Sequence, residues 1–521
     1  MDAFGVENLR CLSDTELIKL KPLTLLVGEN SSGKSTFLRA LPLLRQSVES
    51  RTRGPILWDG IVDFGSFQEA ITDDSEKQEI AFRFQLTLIK SNKSEIMIPR
   101  FIFEELLILE NLVVSLTLKM SWEKKQGTTH IKECLLSFAD EHNLKIELDS
   151  NGNVITFLVN SLDILKLENQ KYCSTQDGFL VPSVDIKNIL YHEKIFIIRE
   201  IENPLFSEVK KYLHPQTGQE KIQKIVQELI GIGSSTKMLA YIQNLKHGTN
   251  TWKNKCKKWT IQNKEFQRLK DMIIASKINM LLSIVDEYIF HCVSRINYIA
   301  PVRATTERYY RMQELAVDQI DSQGKNLPMF LQNLTKKEHN DFIKWTENHF
   351  GFIPKINSAS GHFYMTLKEH GGKKAFNIAD TGFGFSQILP IITELWWLIS
   401  KRQTRLQRRM SNIVSPLFFA IEQPELHLHP RLQAQLADVF LVAIKTARKV
   451  NIDLRLIIET HSETIINRLG HHIANGDAKP QDINVVIFEK EYATAQVKVA
   501  EYDEEGFITN WPFGFFEPDI I

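Results

Sequence analysis

A chain of 521 residues, 43% hydrophobic and 24% charged, is long enough for two or three cores, and its ordinary globular balance excludes a disordered or fibrous polypeptide. Lysine plus arginine and aspartate plus glutamate number 63 each, so no global field draws the chain to nucleic acid or membrane, and such contacts have to come from local patches. The five cysteines, Cys11, Cys134, Cys173, Cys256 and Cys292, never pair as CxxC, which argues for reduced packing thiols in a cytoplasmic setting and against zinc or a disulfide framework.

The opening MDAFGVENLR lacks a basic segment followed by an apolar core, so no secretory signal is expected. An apolar strand, Leu23 to Val27, then runs into GENSSGKST, from Gly28 to Thr36. That spacing of glycine, lysine and hydroxyl is a phosphate-binding loop. Gly28, Asn30, Ser31 and Ser32 form a turn whose backbone N–H groups point inward, and Gly33 lets the main chain approach closely. Lys34 reaches the terminal phosphates, Ser35 can place its hydroxyl on Mg²⁺, and the helix from Thr36 onward adds its N-terminal dipole.

To about residue 160 the pattern is β-rich: Ile80 to Ile89, Leu112 to Trp122, and a hairpin about DSNGN at Asp149 to Asn153. The last could pass for the start of a calcium loop, but Asn160 stands where the bidentate glutamate belongs. Between 161 and 297 the period turns helical, with Ile222, Ile225, Val226, Leu229 and Ile230 on one face and a long amphipathic segment from Glu265 to Val293. After Tyr298 the chain returns to α/β character. Ile388 to Ile399 is apolar but contains Pro390 and Glu394 and is too short to span a bilayer, so a buried helix is expected. Leu417 to Ile421 and Leu456 to Ile458 suit a buried parallel sheet.

Three C-terminal strings complete a nucleotide site. DTGFGFSQILP, Asp380 to Pro390, offers a second anion-binding turn at a helix N-terminus. LFFAI ends in Glu422-Gln423-Pro424-Glu425, an apolar strand closing in acid as Mg²⁺ requires. Leu456 to Ile458 ends in Glu459-Thr460-His461-Ser462, which sets a histidine where it can sense a terminal phosphate.

The ordered set GENSSGKST, DTGFGFSQILP, LFFAIEQPELHLHP and IIETHSE resembles ATP-binding-cassette (ABC) ATPases, and within them the OLD-like ATPases of bacterial anti-phage systems. ENLRCLSD, YIAPVRATTERYY and DEEGFITNWPFGFFEPD resemble the same group, so the likeness covers both ends and not the middle. It implies an α/β, ABC-type P-loop NTPase: residues 1–160 and 298–521 form the head, with a β-rich lobe and a parallel-sheet core, and 161–297 is a helical insertion. It implies ATP and Mg²⁺ as cofactors, with ATP sandwiched between two protomers, the loop of one facing Gly384, Ser386 and Gln387 of the other. Lys34 and Ser35 then hold phosphate and metal, Glu422 takes the Walker B place and His461 that of the switch histidine. Gln68 is a weaker Q-loop candidate that would also approach the metal. Gln423 departs from the family, because an amide stands where many members carry the glutamate that polarises water. Slow hydrolysis is expected, with Glu425 or His461 compensating.

Likeness to the Septu and retron-associated (PtuA-like) ATPases implies homodimers or larger assemblies and a partner nuclease, a small HNH (PtuB-like) protein, with DNA, RNA or retron msDNA as further partners and no membrane. No Toprim domain is expected, the sixty or so residues after His461 being too few for one. Two other readings stand beside this one: a DNA-repair or recombination ATPase acting directly on DNA, and a nucleotide-gated scaffold with little turnover. Smaller candidates are Glu425, His427 and His429 as a metal triad, for which the dimer-interface (D-loop) contact that the resemblance implies for this segment is the plainer reading. Trp252, Lys253, Lys255, Lys257, Lys258 and Trp259 offer a nucleic-acid surface, for which a solvated linker is the plainer reading. Lys401, Arg402, Arg405, Arg408 and Arg409 form a second basic patch, and Arg303 with Glu307 is an ion pair or site element.

Overall fold

The computed structural model describes residues 1–50, 52–72, 78–89, 111–139, 141–167, 172–175, 179–186, 202–229, 232–301, 307–311, 317, 319–359, 362–380, 383–400, 415–491 and 494–512. Arg303, Lys401, Arg402, Arg405, Arg408, Arg409 and Ile230 lie outside them.

The chain begins with β1 (Ala3–Leu9), β2 (Leu12–Asp14), β3 (Ile18–Lys19) and β4 (Leu23–Gly28), followed by the helices α1 (Lys34–Glu49) and α2 (Phe67–Ala70). Next come β5 (Glu79–Ile89), β6 (Asn111–Glu123), β7 (Thr128–Phe138), β8 (His142–Leu148), β9 (Val154–Val159) and β10 (Leu162–Asp163). These strands, without β4, make an antiparallel sheet in the order β10-β9-β8-β7-β6-β5-β1-β2, with β3 on β1. In β6 and β8 buried residues alternate with less buried ones, as expected of a sheet with one face on a core. The turn between β8 and β9 is a hairpin: Asp149 Oδ1 accepts the backbone N–H groups of Asn151 and Asn153 at 2.9 and 2.8 Å, so this carboxylate shapes the turn.

The stretch read as helical opens with strand. β10, a single helical turn at Ile164–Leu167 and a short antiparallel pair, β11 (Tyr172–Thr175) and β12 (Ser183–Ile186), precede the longer helices. Four residues are too few for periodicity to tell strand from helix. Helices then follow, among them Gln219–Glu228, in which Ile222, Ile225 and Val226 are buried. The longest is α3 (Lys264–Val293), capped by Asn263, whose side chain accepts the N–H groups of Glu265 and Phe266. It delivers the chain to β13 (Ile296–Ile299).

A small sheet follows, built of β14 (Tyr310–Arg311), β15 (Phe352–Ala359), β16 (His362–Glu369) and β17 (Phe376–Asn377). The chain then runs through α4 (Phe383–Ser400), β18 (Leu417–Glu422), α5 (Pro430–Lys449), β19 (Leu454–Glu459), α6 (Glu463–Ala474), β20 (Ile483–Glu491), β21 (Thr494–Tyr502) and β22 (Ile508–Thr509). The second large sheet has the order β13-β18-β19-β4-β20-β21-β22, parallel from β13 to β20 and antiparallel beyond.

This sheet is apolar on both faces. Leu23, Leu25 and Val27 of β4 point into a core shared with α4, α5 and α6, whereas Leu26 points into the other core, with α1, the antiparallel sheet and α3. Leu417, Phe419 and Ile421 against Phe418 and Ala420 divide β18 in the same way. Double-sided burial explains the unbroken apolar runs in these strands. It also sets the C-terminal ends of β4, β18 and β19 side by side, where the polar residues begin. Among the described residues no helix is long and apolar enough to cross a membrane.

Candidate nucleotide site

β4 ends at Gly28, which has φ 147°; a Cβ there would lie 2.1 Å from the carbonyl oxygen of Phe488 on β20. Gly33 turns the loop into α1 with φ 99°. Both positions require glycine, because an L side chain rarely adopts such angles and the first has no room for one. Lys34 lies almost wholly buried, and its ammonium donates to the carbonyls of Gly28 at 3.0 Å and Glu29 at 2.5 Å. The lysine thus folds back over its own loop, as a group that holds phosphate would. Burial lowers its pKa, against the raising effect of Glu459, Glu29 and Glu425. Ser32 is fully buried, with its Oγ making no hydrogen bond among the described residues.

Two carboxylates meet beside the loop. Glu422 ends β18, Glu459 ends β19, and the parallel register sets them opposite one another. Their surroundings differ. Arg39, one turn along α1 from Ser35, donates from Nε to Oε1 and from its terminal nitrogen to Oε2 of Glu422, both at 2.7 Å. The Tyr298 hydroxyl, at the end of β13, donates to the same Oε1 at 2.7 Å. Its bonds to Glu422 raise the pKa of Arg39, and burial followed by the Glu422 charge raises that of Tyr298. Glu459 is met instead by the Ser35 hydroxyl, which donates to Oε1 at 2.8 Å, while Oε2 is buried without a hydrogen bond among the described residues. Burial, then the neighbouring Glu422 charge, pushes the Glu459 carboxyl up to about 7.

The turn after β18 closes over this pair. Gln423 has φ 41°, and its N–H donates to the carbonyl of Glu459 at 2.9 Å. Glu425 Oε1 accepts the backbone N–H of His461 at 2.6 Å, tying the turn after β18 to the turn that follows β19. The His461 imidazole lies at the rim, its pKa lowered by partial burial and by the charge of Lys34. Ser462 caps α6 and donates to Gln433 of α5 at 2.6 Å. Lys34, Ser35, Glu422, Gln423, Glu425, Glu459 and His461 thus form one site at the ends of three parallel strands.

Other predicted residues lie on α2 and α4. Gly384, Ser386 and Gln387 lie on the first turn of α4, where Gly384 abuts the His427 carbonyl and Leu428. Ser386 and Gln387 are 8% and 3% exposed in the single chain. Gln68 is exposed on α2, whose Ala70 carbonyl accepts the N–H of Arg10 at 2.7 Å.

Glu425, His427 and His429 make no metal triad, and among the described residues no group of three or more His, Cys, Asp or Glu side chains is placed to hold a metal ion. Glu425 is bonded to the main chain of His461, and His429 caps α5 by accepting the N–H of Arg431 on Nδ1 at 3.2 Å. Trp252 and Trp259 are not a stacking platform: they are 0% and 5% exposed and pack edge to face with each other and with Tyr212. Glu307 donates its N–H to the Tyr310 hydroxyl at 2.8 Å. The sequence had assigned no role to Arg39, Tyr298 or Glu459. Only Arg39 left a signal there, its i, i+4 spacing from Ser35 placing it on the same helix face.

The buried oxygens of Ser32 and Glu459, with the Lys34 ammonium over the loop, fit a phosphate group and a hard divalent cation.

Residues 1–466 match the AAA ATPase domain family (AAA_15). No curated protein matches the sequence. Among solved structures the chain is similar to the Smc head domain with an extended coiled coil bound to the C-terminal domain of ScpA from Pyrococcus furiosus, at 9% identity and TM-score 0.34 over 96% of both chains. It is similar to the SMC head domain from Thermotoga maritima, at 8% identity and TM-score 0.34 over 95% of this chain and 97% of that one. A third is the recombination mediator protein RecF-ATPrS of the RecFOR pathway, at 11% identity and TM-score 0.28 over 95% and 97%. With the family covering most of its length and the phosphate loop, acidic strand ends and His461 gathered at one sheet edge, the chain belongs to the AAA ATPase domain family and is an ATPase.

Proposed function

We propose that the chain binds and slowly hydrolyses Mg·ATP between two copies of itself and so regulates a separately encoded nuclease of the HNH type in anti-phage defence. The observation that carries the ATP part is the meeting of Lys34 and Ser35 with Glu422, Glu459 and His461 at adjacent strand ends. Bound Mg²⁺ would supply Lewis-acid charge to the phosphate oxygens. Lys34 binds phosphate, Ser35 and a strand-end carboxylate beside it hold the cation, His461 senses occupancy from the rim, and Gln423 orients water without taking its proton. The dimer, the nuclease and the defence role rest on the resemblance of the four motifs to OLD-like and Septu or retron-associated ATPases.

The test is phosphate release and light scattering on the purified chain, with and without ATP. ATP-dependent dimerisation that Lys34→Ala abolishes supports the reading. A chain that cuts nucleic acid unaided, equally well as Lys34→Ala, overturns the partner-nuclease assignment. Direct action on DNA is the second reading; for it, Lys257 and Lys258 remain exposed, though the nearby indoles do not. It requires salt-sensitive binding of DNA by the chain alone.

A further inference from the structure

The family pattern assigns the metal-facing acid to Glu422. Yet its two oxygens receive three charge-assisted hydrogen bonds, two from the Arg39 guanidinium and one from the Tyr298 hydroxyl, each 2.7 Å long. A cation approaching Glu422 has to displace a guanidinium already neutralising it. Glu459 has the opposite surroundings. It is 2% exposed, Oε1 touches the Ser35 hydroxyl at 2.8 Å, and Oε2 is buried with no hydrogen bond among the described residues. Leaving a carboxylate oxygen unpaired in the interior costs free energy, and such an atom marks a place where a partner belongs. Mg²⁺ is bound through one or two carboxylates with waters and phosphate, so a single acid beside the loop hydroxyl suffices.

We propose that Glu459, not Glu422, is the protein carboxylate that holds Mg²⁺ with Ser35, and that Glu422 is the clamped counter-charge of Arg39. The assignment rests on the ATP reading and deepens it. Histidine and acid then share one turn: Glu459 on the cation and His461 two residues on.

The test is equilibrium binding of a fluorescent ATP analogue in Mg²⁺ and in EDTA, with Mn²⁺ paramagnetic resonance as a direct readout of the cation. In the wild-type chain the metal is expected to tighten nucleotide binding. Glu459→Gln should lose at least about tenfold of that metal effect while binding in EDTA stays within about twofold, and should lose the bound Mn²⁺ signal. Ser35→Ala should behave alike, and Ser35→Ala with Glu459→Gln no worse than either. Glu422→Gln should keep the metal effect, its folding checked by thermal melting. If it does not fold, Arg39→Gln, which unclamps Glu422 without deleting it, should keep the requirement for Glu459. A Glu459→Gln chain that retains the metal effect overturns the assignment alone. A wild-type chain that binds no nucleotide in either condition overturns the ATP reading and this one together.

Discussion

Arg39 and Glu422 close the gap between the phosphate-loop helix and the adjoining sheet with two parallel bonds of 2.7 Å, across a sequence separation of 383 residues. Glu422 is 2% exposed at its side chain and Arg39 31%, so the pair is half sheltered and its removal leaves an uncompensated buried carboxylate. Arg39→Ala is expected to cost about 3 kcal/mol, and Tyr298→Phe about 1.5 kcal/mol, by chemical denaturation. Because both act on one acid, the double variant should lose less than the sum.

Gln423 offers a gain of function. Its left-handed backbone and its bond to the Glu459 carbonyl are main-chain features that a glutamate would keep. Gln423→Glu should raise steady-state phosphate release by about tenfold or more, since a positioned general base contributes roughly 10²–10⁴. An unchanged rate would show that the amide does not limit turnover.

His142 should make stability sensitive to acid. It is 1% exposed, packs with its ring tilted 5.1 Å from that of Phe138, and lies 2.9 Å from the Gly233 carbonyl, which can only accept, so Nε2 carries the hydrogen and buried Nδ1 is bare. Burial, then the charge of Lys270, holds its pKa below the ordinary 6.5, against the raising effect of Glu141. The unfolded chain therefore binds the proton more readily. Stability is full above pH 6.5 and falls as pH drops toward the folded value, by up to about 1.4 kcal/mol per pH unit. Melting temperatures between pH 7.5 and 5 should fall less steeply for His142→Phe than for the wild-type chain.

Trp252 and the lysines around it should separate cleanly. Trp252→Ala deletes a fully buried ring and the bond its Nε1 donates to the Ile242 carbonyl at 3.0 Å, and should cost about 4 kcal/mol. Lys257→Ala with Lys258→Ala should leave melting within about 0.5 kcal/mol, since both side chains are exposed. If DNA binding is lost in the lysine variant alone, the second functional reading gains its contact.

Much of the parallel core could be read from the chain. The runs of β4, β18 and β19 are apolar because both faces are covered, and the loop at Gly28 to Thr36 has a spacing set by phosphate geometry. Tyr298 was different. Its role depends on β13 pairing with β18, a register that no local pattern encodes. Glu459 was hidden by its neighbour, because the histidine two residues on gives the string ETHS its meaning while the acid takes its role from Ser35, 424 residues away. Trp252 and Trp259 misled in the other direction: alternation with lysine is the pattern of a stacking surface, but here Trp252 is the core face of the helix Asn250–Cys256 and Trp259, past its end, turns into the same core.

The phosphate-loop strand β4 lies between β19 and β20, both from the far end of the chain. On a ribosome the loop therefore emerges long before its neighbours. At roughly 5–20 residues per second, about 20 to 80 s pass between Ser35 and the Glu459 it bonds. Through that interval β4 has two unpaired edges, and a nascent or truncated chain has a phosphate loop with no acid beside it. Competence for ATP is thus acquired late and all at once, so that a broken message yields an inert fragment and not a partly armed ATPase.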